Sequence, residues 1–251
     1  IPQDNWIIQP RNADTAAAMF ITALHLHVRF PQSIAVIFYS DHKIDSIRSF
    51  KHAIKHAAQM AAKHQAVMTI GTKVEFPSTQ LGYIKLGKKL DKSLYQVKSF
   101  KEKPDKKTAK KYYQSRDYVW NTGIYLWETE RLMRSVKEHA ADYYPDLLKL
   151  RNSINSPQFQ QDLENWFENL DEIAFEKALS EKDHSLLVAV EDYHWHDIGN
   201  WEAVYQTAQK DRQGNVALAL QDQQTALFKE SKNTMIHASM DEIIVYGVED
   251  I

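Results

Sequence analysis

The sequence predicts an α/β domain built on a mixed, largely parallel sheet, followed by the beginning of a small β domain. Three observations carry that expectation. Short apolar runs alternate with helical patterns in the order strand, polar turn, helix, strand. Some of those runs are apolar throughout, as strands covered on both faces are. After Gly214-Asn215 the texture changes to short β-prone pieces near Ala226, Met235 and Ile243 with polar breaks between them. A boundary is expected near Arg212, giving a first domain over 1–212 and a partial second one over 213–251.

The elements run in order. Thr15 to Val28 reads as a helix with an alanine-rich first turn and Asp14 or Thr15 placed to cap it. Ile34 to Tyr39 is a continuous apolar run, expected to be a strand buried on both faces, and it stops abruptly at Ser40-Asp41-His42. The next helix sets Ile47, Phe50, Ile54, Ala57, Ala58 and Ala61 on one face. Ala66 to Ile70, Gly82 to Leu86, Tyr95 to Lys101 and Tyr118 to Trp127 read as strands. Between the last two, Lys106 to Tyr113 reads as a helix with a strongly basic exposed side. Helices dominate from Glu128 to about Lys182, with turns at Pro145 and Pro157. Leu186 to Val190 is again a strand, and Trp201 to Lys210 a helix.

Composition narrows the function classes. The 251 residues include 43% hydrophobic and 25% charged side chains, enough for one large domain with a buried core and a small appendage. A formal net charge of -2 argues against broad attraction to nucleic acid or to an anionic membrane. With no cysteine, disulfides and thiolate metal sites are excluded. No apolar run approaches the roughly 20 residues that span a bilayer. Ile1 to Trp6 has no basic segment followed by an apolar one, so no signal peptide is visible and a cytoplasmic location is expected. The first residue is Ile1 rather than methionine, which suggests that these residues begin inside a longer polypeptide.

Four segments could carry chemistry. Asp41 lies at the carboxyl end of a strand, where ligands bind in open α/β sheets, and its carboxylate could coordinate a hard cation or simply cap the following helix. Glu102-Lys103-Pro104-Asp105 ends another strand: the acid could take hydroxyl protons and the ammonium a phosphate, although Lys-Pro-Asp is also good turn chemistry. Trp120-Asn121-Thr122-Gly123 interrupts a strand-like stretch and suggests a bulge, with or without a ligand approaching it. His194-Trp195-His196-Asp197 has the look of a metal cluster, but without a fourth partner Asp197 is the favoured functional group and the histidines its polar surroundings. His52 and His56 lie one helical turn apart among Arg48, Lys51, Lys55 and Lys63, a solvated cationic face rather than a zinc site.

Taken in order, these pieces resemble one family. Pro10 with Asp14-Thr15-Ala16-Ala17-Ala18, Ser40-Asp41-His42, Gly82-Tyr83-Ile84, Glu102-Lys103-Pro104, Trp120-Asn121-Thr122-Gly123, Asp171 with Glu176-Lys177, and Trp195-His196-Asp197-Ile198-Gly199-Asn200-Trp201 resemble mannose-1-phosphate guanylyltransferases. The resemblance runs from about Ile7 to Asn215 and more weakly to Ile251. It implies a Rossmann-like nucleotidyltransferase domain and a reaction in which GTP and mannose 1-phosphate give GDP-mannose and pyrophosphate. By motif, Asp41 and Asp197 would hold Mg2+. Glu102 and Asn121 would take mannose hydroxyls, and Lys103 the sugar phosphate. Gly82 would let the backbone close to the sugar, and Asp171 would be a sugar-side or structural acid. The segment after Gly214 would begin a small β-helical domain used in homodimer contacts.

Several departures accompany the resemblance. Gln9-Pro10 stands where the family has Glu-Pro, and Gln80-Leu81-Gly82 loses a first glycine. The opening G-G-x-G-x-R-x-x-P loop is not among these residues: only seven glycines occur and no two are adjacent. Without that loop the chain is expected to hold the sugar side but not to turn over on its own. Two alternatives stay open, a non-catalytic homologue that binds sugar phosphate and a nucleotidyltransferase for another hexose 1-phosphate.

Overall fold

A computed structural model describes residues 2, 5–218, 225–238 and 242–250. It falls into two units, each described separately. The larger takes Ile1–Ser40 and Ile44–Trp195, and the smaller takes Asp41–Lys43 and His196–Ile251.

The larger unit is organised around one long strand. In chain order come α1 (Asp14–Arg29), β1 (Ile34–Ile37), β2 (His42–Ile44), α2 (Ile47–His64), β3 (Met68–Lys73), β4 (Tyr83–Lys89) and β5 (Leu94–Lys101). They are followed by α3 (Lys106–Ser115), β6 (Tyr118–Glu128), α4 (Thr129–His139), α5 (Tyr144–Ser153), α6 (Phe159–Glu168), a π-helical segment Glu176–Ser180, β7 (Leu187–Val190) and β8 (Trp195–Asp197), with most of β2 and β8 belonging to the smaller unit. The main sheet has the order β1-β6-β3-β7-β5-β4, and β4 also pairs back onto β6. β1 and β4 occupy successive stretches of β6: Tyr125 to Glu128 face β1, whereas Tyr118 to Trp120 face β4.

Successive residues of β6 point to opposite faces, and the core divides accordingly. Tyr125 and Trp127 join α1, α4, α5 and α6 on one side, around Phe20, Leu132 and Phe175. Ile124 and Leu126 pack on the other side beneath Ala53, Ala57 and Ala61 of α2. Those alanines let the helix lie close to the sheet.

The α/β class and the mixed sheet match the expectation, but neighbouring strands are less parallel than expected. β1, β3, β4 and β7 all run one way, yet β3–β7 is the one parallel pairing described in this sheet. β6 is inserted between β1 and β3, and β5 between β7 and β4, so like-directed strands are mostly kept apart.

Three local expectations change. Ile34 to Tyr39 is not a strand buried on both faces: β1 ends at Ile37, only Ala35 of its four residues is buried, and Phe38 is exposed. β1 is the terminal strand of the sheet, so its side chains are covered only where helices reach them. No side chain caps α1. Asp14, at φ 61°, takes the N–H of Thr15, and the Thr15 hydroxyl instead accepts the N–H of Phe175 (2.9 Å). For α2 the cap is Ser46, which accepts from the N–H of Ser49 (3.3 Å), so Asp41 is free of that task.

The smaller unit contains α7 (Trp201–Thr207), β9 (Val216–Leu218), β10 (Thr225–Lys229), β11 (Met235–His237) and β12 (Glu242–Tyr246). β9 pairs with β11 and β10 with β12, both parallel, and Lys232 bridges Glu249 in the same sense. Each pass of the chain thus stacks on the one before, as the rungs of a β-helix do. The division falls earlier than the boundary expected near Arg212. α7 is tied to the turn before β9, since the Tyr205 hydroxyl donates to the carbonyl of Gly214 (2.7 Å).

Candidate active site

Two strand ends meet the middle of a third strand in the larger unit. Tyr83 at the start of β4 lies opposite both Lys101 of β5 and Trp120 of β6. The residues one step beyond those pairs, Gly82, Glu102 and Asn121, are therefore brought together. The Asn121 N–H donates to the carbonyl of Gly82 (2.8 Å). A Cβ on Gly82 would stand 2.6 Å from Oε2 of Glu102 and 3.4 Å from Cβ of Asn121. The glycine is what allows a carboxylate against the backbone here.

Glu102 is largely withdrawn from water, and its charged form is penalised accordingly. Burial, with the neighbouring Glu176 carboxylate adding to it and Lys103 opposing it, pushes the Glu102 carboxyl up to about 7. Lys103 Nζ lies 3.8 Å from Oε1 of Glu102, with its side chain 61% exposed. The backbone of Lys103 has φ 39°, in the left-handed region, directly before Pro104. A non-glycine residue is rarely held that way, and such strain tends to be kept where it places a functional group. Asp105 has a structural task, capping α3 by accepting the N–H of Thr108 (2.9 Å).

The bulge expected at Asn121 is present. The register between β3 and β6 slips between Thr69 and Gly71, and Gly123 adopts φ 72°. Both ends of the buried Asn121 amide are occupied. Its Oδ1 accepts from the hydroxyl of Thr69 (2.7 Å), and its Nδ2 donates to Oε1 of Glu176 (3.4 Å). The Tyr125 hydroxyl donates to the same oxygen of Glu176 (3.2 Å) and accepts from Ser180 (3.1 Å). Glu176 is 7% exposed, and burial raises its carboxyl above the ordinary value while the Tyr125 hydroxyl works against that rise.

In the smaller unit, Asp41 and Asp197 flank one histidine. The N–H of Ile198 donates to the carbonyl of Asp41 (3.2 Å), which sets the two short segments side by side. Burial lowers the His42 imidazole, and the carboxylates of Asp197 and Asp41 both pull it back up. Carboxylate oxygens are the donors that magnesium prefers. Gly199 lies close by: a Cβ there would stand 3.2 Å from Oδ1 of Asp197. Among the described residues no three His, Asp or Glu side chains are grouped to hold a metal, so the histidines beside Asp197 do not complete a cluster.

Asp171 is exposed after α6, where its charge adds to the burial that raises the Tyr143 hydroxyl. Among the described residues it makes no hydrogen bond or ion pair with Glu102, Lys103 or Asn121. Sequence reasoning passed over Thr69 and Tyr125, because each sits in an apolar strand and only the bulge aims them at the Asn121 amide. Arg11 was also missed: its Nε donates to the carbonyl of Phe167 (2.9 Å), securing the end of α6.

Comparison with known proteins extends this picture. Residues 2–214 match the protein family described as nucleotidyl transferase. The chain is 29% identical to a mannose-1-phosphate guanylyltransferase of Escherichia coli, over 99% of this chain and 54% of that protein. It is 30% identical to the alginate biosynthesis protein AlgA of Pseudomonas aeruginosa, over 98% of this chain and 50% of that protein. The chain thus spans about half the length of these curated relatives. Among solved structures, a protein described as a mannose-1-phosphate geranyltransferase from Thermus thermophilus superposes with a TM-score of 0.82 at 22% identity. That match covers 97% of this chain and 68% of the other and speaks to the fold alone. Among the described residues no helix is long and apolar enough to cross a membrane. With the match running over most of its length, the chain belongs to the nucleotidyl transferase family.

Proposed function

We propose that this chain is the nucleotidyltransferase portion of an enzyme that transfers GMP from GTP to mannose 1-phosphate, releasing pyrophosphate. The observation that carries the sugar half of this reading is the junction of Gly82, Glu102, Lys103 and Asn121, where the start of β4 and the end of β5 meet the bulge of β6. It offers a carboxyl group and an amide for hydroxyls, an exposed ammonium for a phosphate, and a backbone without a side chain for close approach. The choice of mannose and guanine rests on the similarity to the E. coli guanylyltransferase.

In this reaction a phosphate oxygen of the sugar phosphate attacks the α-phosphorus of the nucleotide. The bond to the β,γ-pyrophosphate breaks and the new phosphoanhydride forms. Little covalent chemistry falls to the protein, so positioning and charge stabilisation dominate. Lys103 would bind the sugar phosphate as a point charge, and Glu102 and Asn121 would orient the ring. Asp41 and Asp197 would hold Mg2+, which when bound neutralises developing phosphate charge.

The test is a pyrophosphate-release assay on the full-length protein, with mannose 1-phosphate or glucose 1-phosphate and with GTP or UTP. Turnover confined to GTP and mannose 1-phosphate is expected. Lys103→Ala should raise the KM for mannose 1-phosphate about tenfold or more and leave the KM for GTP nearly unchanged. Equal losses for both substrates would overturn the assignment of Lys103, and a preference for another sugar phosphate would overturn mannose. For the cation, isothermal titration with Mn2+ should show binding that is lost in both Asp41→Asn and Asp197→Asn.

A further inference from the structure

The basic side of α3 has no task in the reaction as described. Residues 85–117 carry eleven lysines and one arginine against four acidic residues, a local net charge of +8 in a chain whose net charge is -2. Of those acids, Asp105 is engaged as the cap of α3 and Glu102 lies at the sugar-side junction. Lys106, Lys107, Lys110 and Lys111 are exposed, and among the described residues none of them forms an ion pair. Ala109 and Tyr112 turn the other side of the helix onto Tyr83 and Trp120. The sheet continues the basic face. Lys101 stands directly opposite Tyr83, so the two share the side of the sheet that α3 covers. Lys85, two residues on from Tyr83, places its ammonium 5.6 Å from the Tyr118 ring, against which Tyr112 of α3 stacks.

We propose that this lysine face draws the phosphate of the sugar substrate toward Lys103, acting as a field at a distance and not as a contact. The inference rests on the reading of Lys103 as the residue that takes that phosphate. Lys103 stands just ahead of the first residue of α3, Lys106, with its side chain 61% exposed. The helix lysines therefore lie within roughly 15 Å of it, given the short reach of three linking residues and a rise of about 1.5 Å per helical residue. Charges at that separation act on one another through dilute salt, where the screening length is about 30 Å, and hardly at all in concentrated salt. A cationic surface beside a site raises the local concentration of an anionic substrate. The residue type fits this role. Lysine is a hydrated point charge without the fork by which arginine grips a phosphate, so a face of lysines attracts more than it holds. The arrangement also works against the helix itself, because Lys106 with Lys110 and Lys107 with Lys111 set like charges one turn apart.

The test uses the full-length protein, with calorimetric binding of mannose 1-phosphate at about 10 mM and about 300 mM sodium chloride. One variant combines Lys106→Gln, Lys107→Gln, Lys110→Gln and Lys111→Gln; a second changes the same four residues to Arg and so keeps their charge. Glutamine and arginine are both good helix formers, so α3 is retained in each. At low salt the Gln variant should bind about tenfold more weakly than the wild type, and at high salt less than about twofold more weakly. The Arg variant should follow the wild type at both. Wild-type affinity in the Gln variant at low salt, an equal loss at both salt concentrations, or the same loss in the Arg variant would overturn the proposal. A second readout needs no substrate: paramagnetic relaxation of the Gly82, Glu102 and Lys103 amide protons by an anionic and a cationic nitroxide of equal size. In the wild type the anionic probe should be enriched there, and the Gln variant should lose most of that enrichment. Equal relaxation by the two probes in the wild type would remove the field itself. Enrichment of the anionic probe in a wild type that does not bind mannose 1-phosphate would overturn the substrate reading and leave the field standing.

Discussion

At Gly82 a hydrogen atom stands where any other residue would place a carbon 2.6 Å from a carboxylate oxygen. Gly82→Ala must displace Glu102 or the strand end. The expected result is a rise of about tenfold or more in the KM for the sugar phosphate, because misplacement of about 1 Å can cost a hundredfold. The thermal midpoint should move little, since the residue lies at a strand end. A pyrophosphate-release assay and a thermal melt on the same preparation check both. Asn121 was legible in the sequence as a polar exception inside a strand-like stretch and Glu102 as a carboxylate closing a strand, whereas Gly82 was singled out only by the family resemblance. The importance of Glu176 was not legible, because its meaning depends on Tyr125 and Thr69, whose hydroxyls look like ordinary strand chemistry. Asp41 was ambiguous until Ser46 proved to be the cap of α2.

Among the elements, α4 and the turn before β7 are locked by a buried polar network. The guanidinium of Arg131 donates to Ser135 (2.6 Å), whose hydroxyl donates to Asp183 (2.8 Å), and Arg131 lies 3.6 Å from Asp183. Burial would raise the Asp183 carboxyl, but hydrogen bonds from Ser185 and Ser135, with help from Arg131, outweigh it and hold the group below its ordinary value. The folded state therefore binds this proton less readily than the unfolded chain. The stabilisation is present above the unfolded value near 3.8 and is lost as pH falls through the lower folded value. Asp183→Asn should cost about 3 kcal/mol in urea denaturation at pH 7, since it removes the buried partner of Arg131 and leaves only the half-exposed Glu138, 3.9 Å away. Strand and helix positions were readable from periodicity, but the edge position of β1 was not. An apolar run carries no record of how many neighbours its strand has.

For the molecule as a whole, Glu102 and Glu176 act in the opposite sense to Asp183. Their folded values are raised, so the unfolded chain loses these protons first as pH increases. Stability from this pair is greatest below the unfolded value near 4.5 and declines until Glu102 itself ionises at about 7. Glu102→Gln should flatten that decline, which denaturation at pH 5 and pH 7.5 would reveal as a smaller difference than in the wild type. An unchanged difference would mean that the pair is not strained by its charge. Directionality of the sheet was misjudged at this scale, because a parallel sheet and one with antiparallel strands inserted between like-directed ones share the same local patterns.

The double use of β6 has a kinetic side. Its amides are engaged by β3 on one side and by β1 and β4 in turn on the other, so no neighbour can separate without exposing part of this strand. Exchange of its backbone hydrogens with deuterated solvent should then be governed by opening of the entire larger unit, with the slowest rates at Tyr125 to Trp127. The bulge at Thr122 to Ile124 interrupts that ladder next to Asn121 and should exchange faster by comparison. Asn121, proposed above to take a sugar hydroxyl, would thus sit where a persistent strand yields locally, able to adjust without loosening the layers around it.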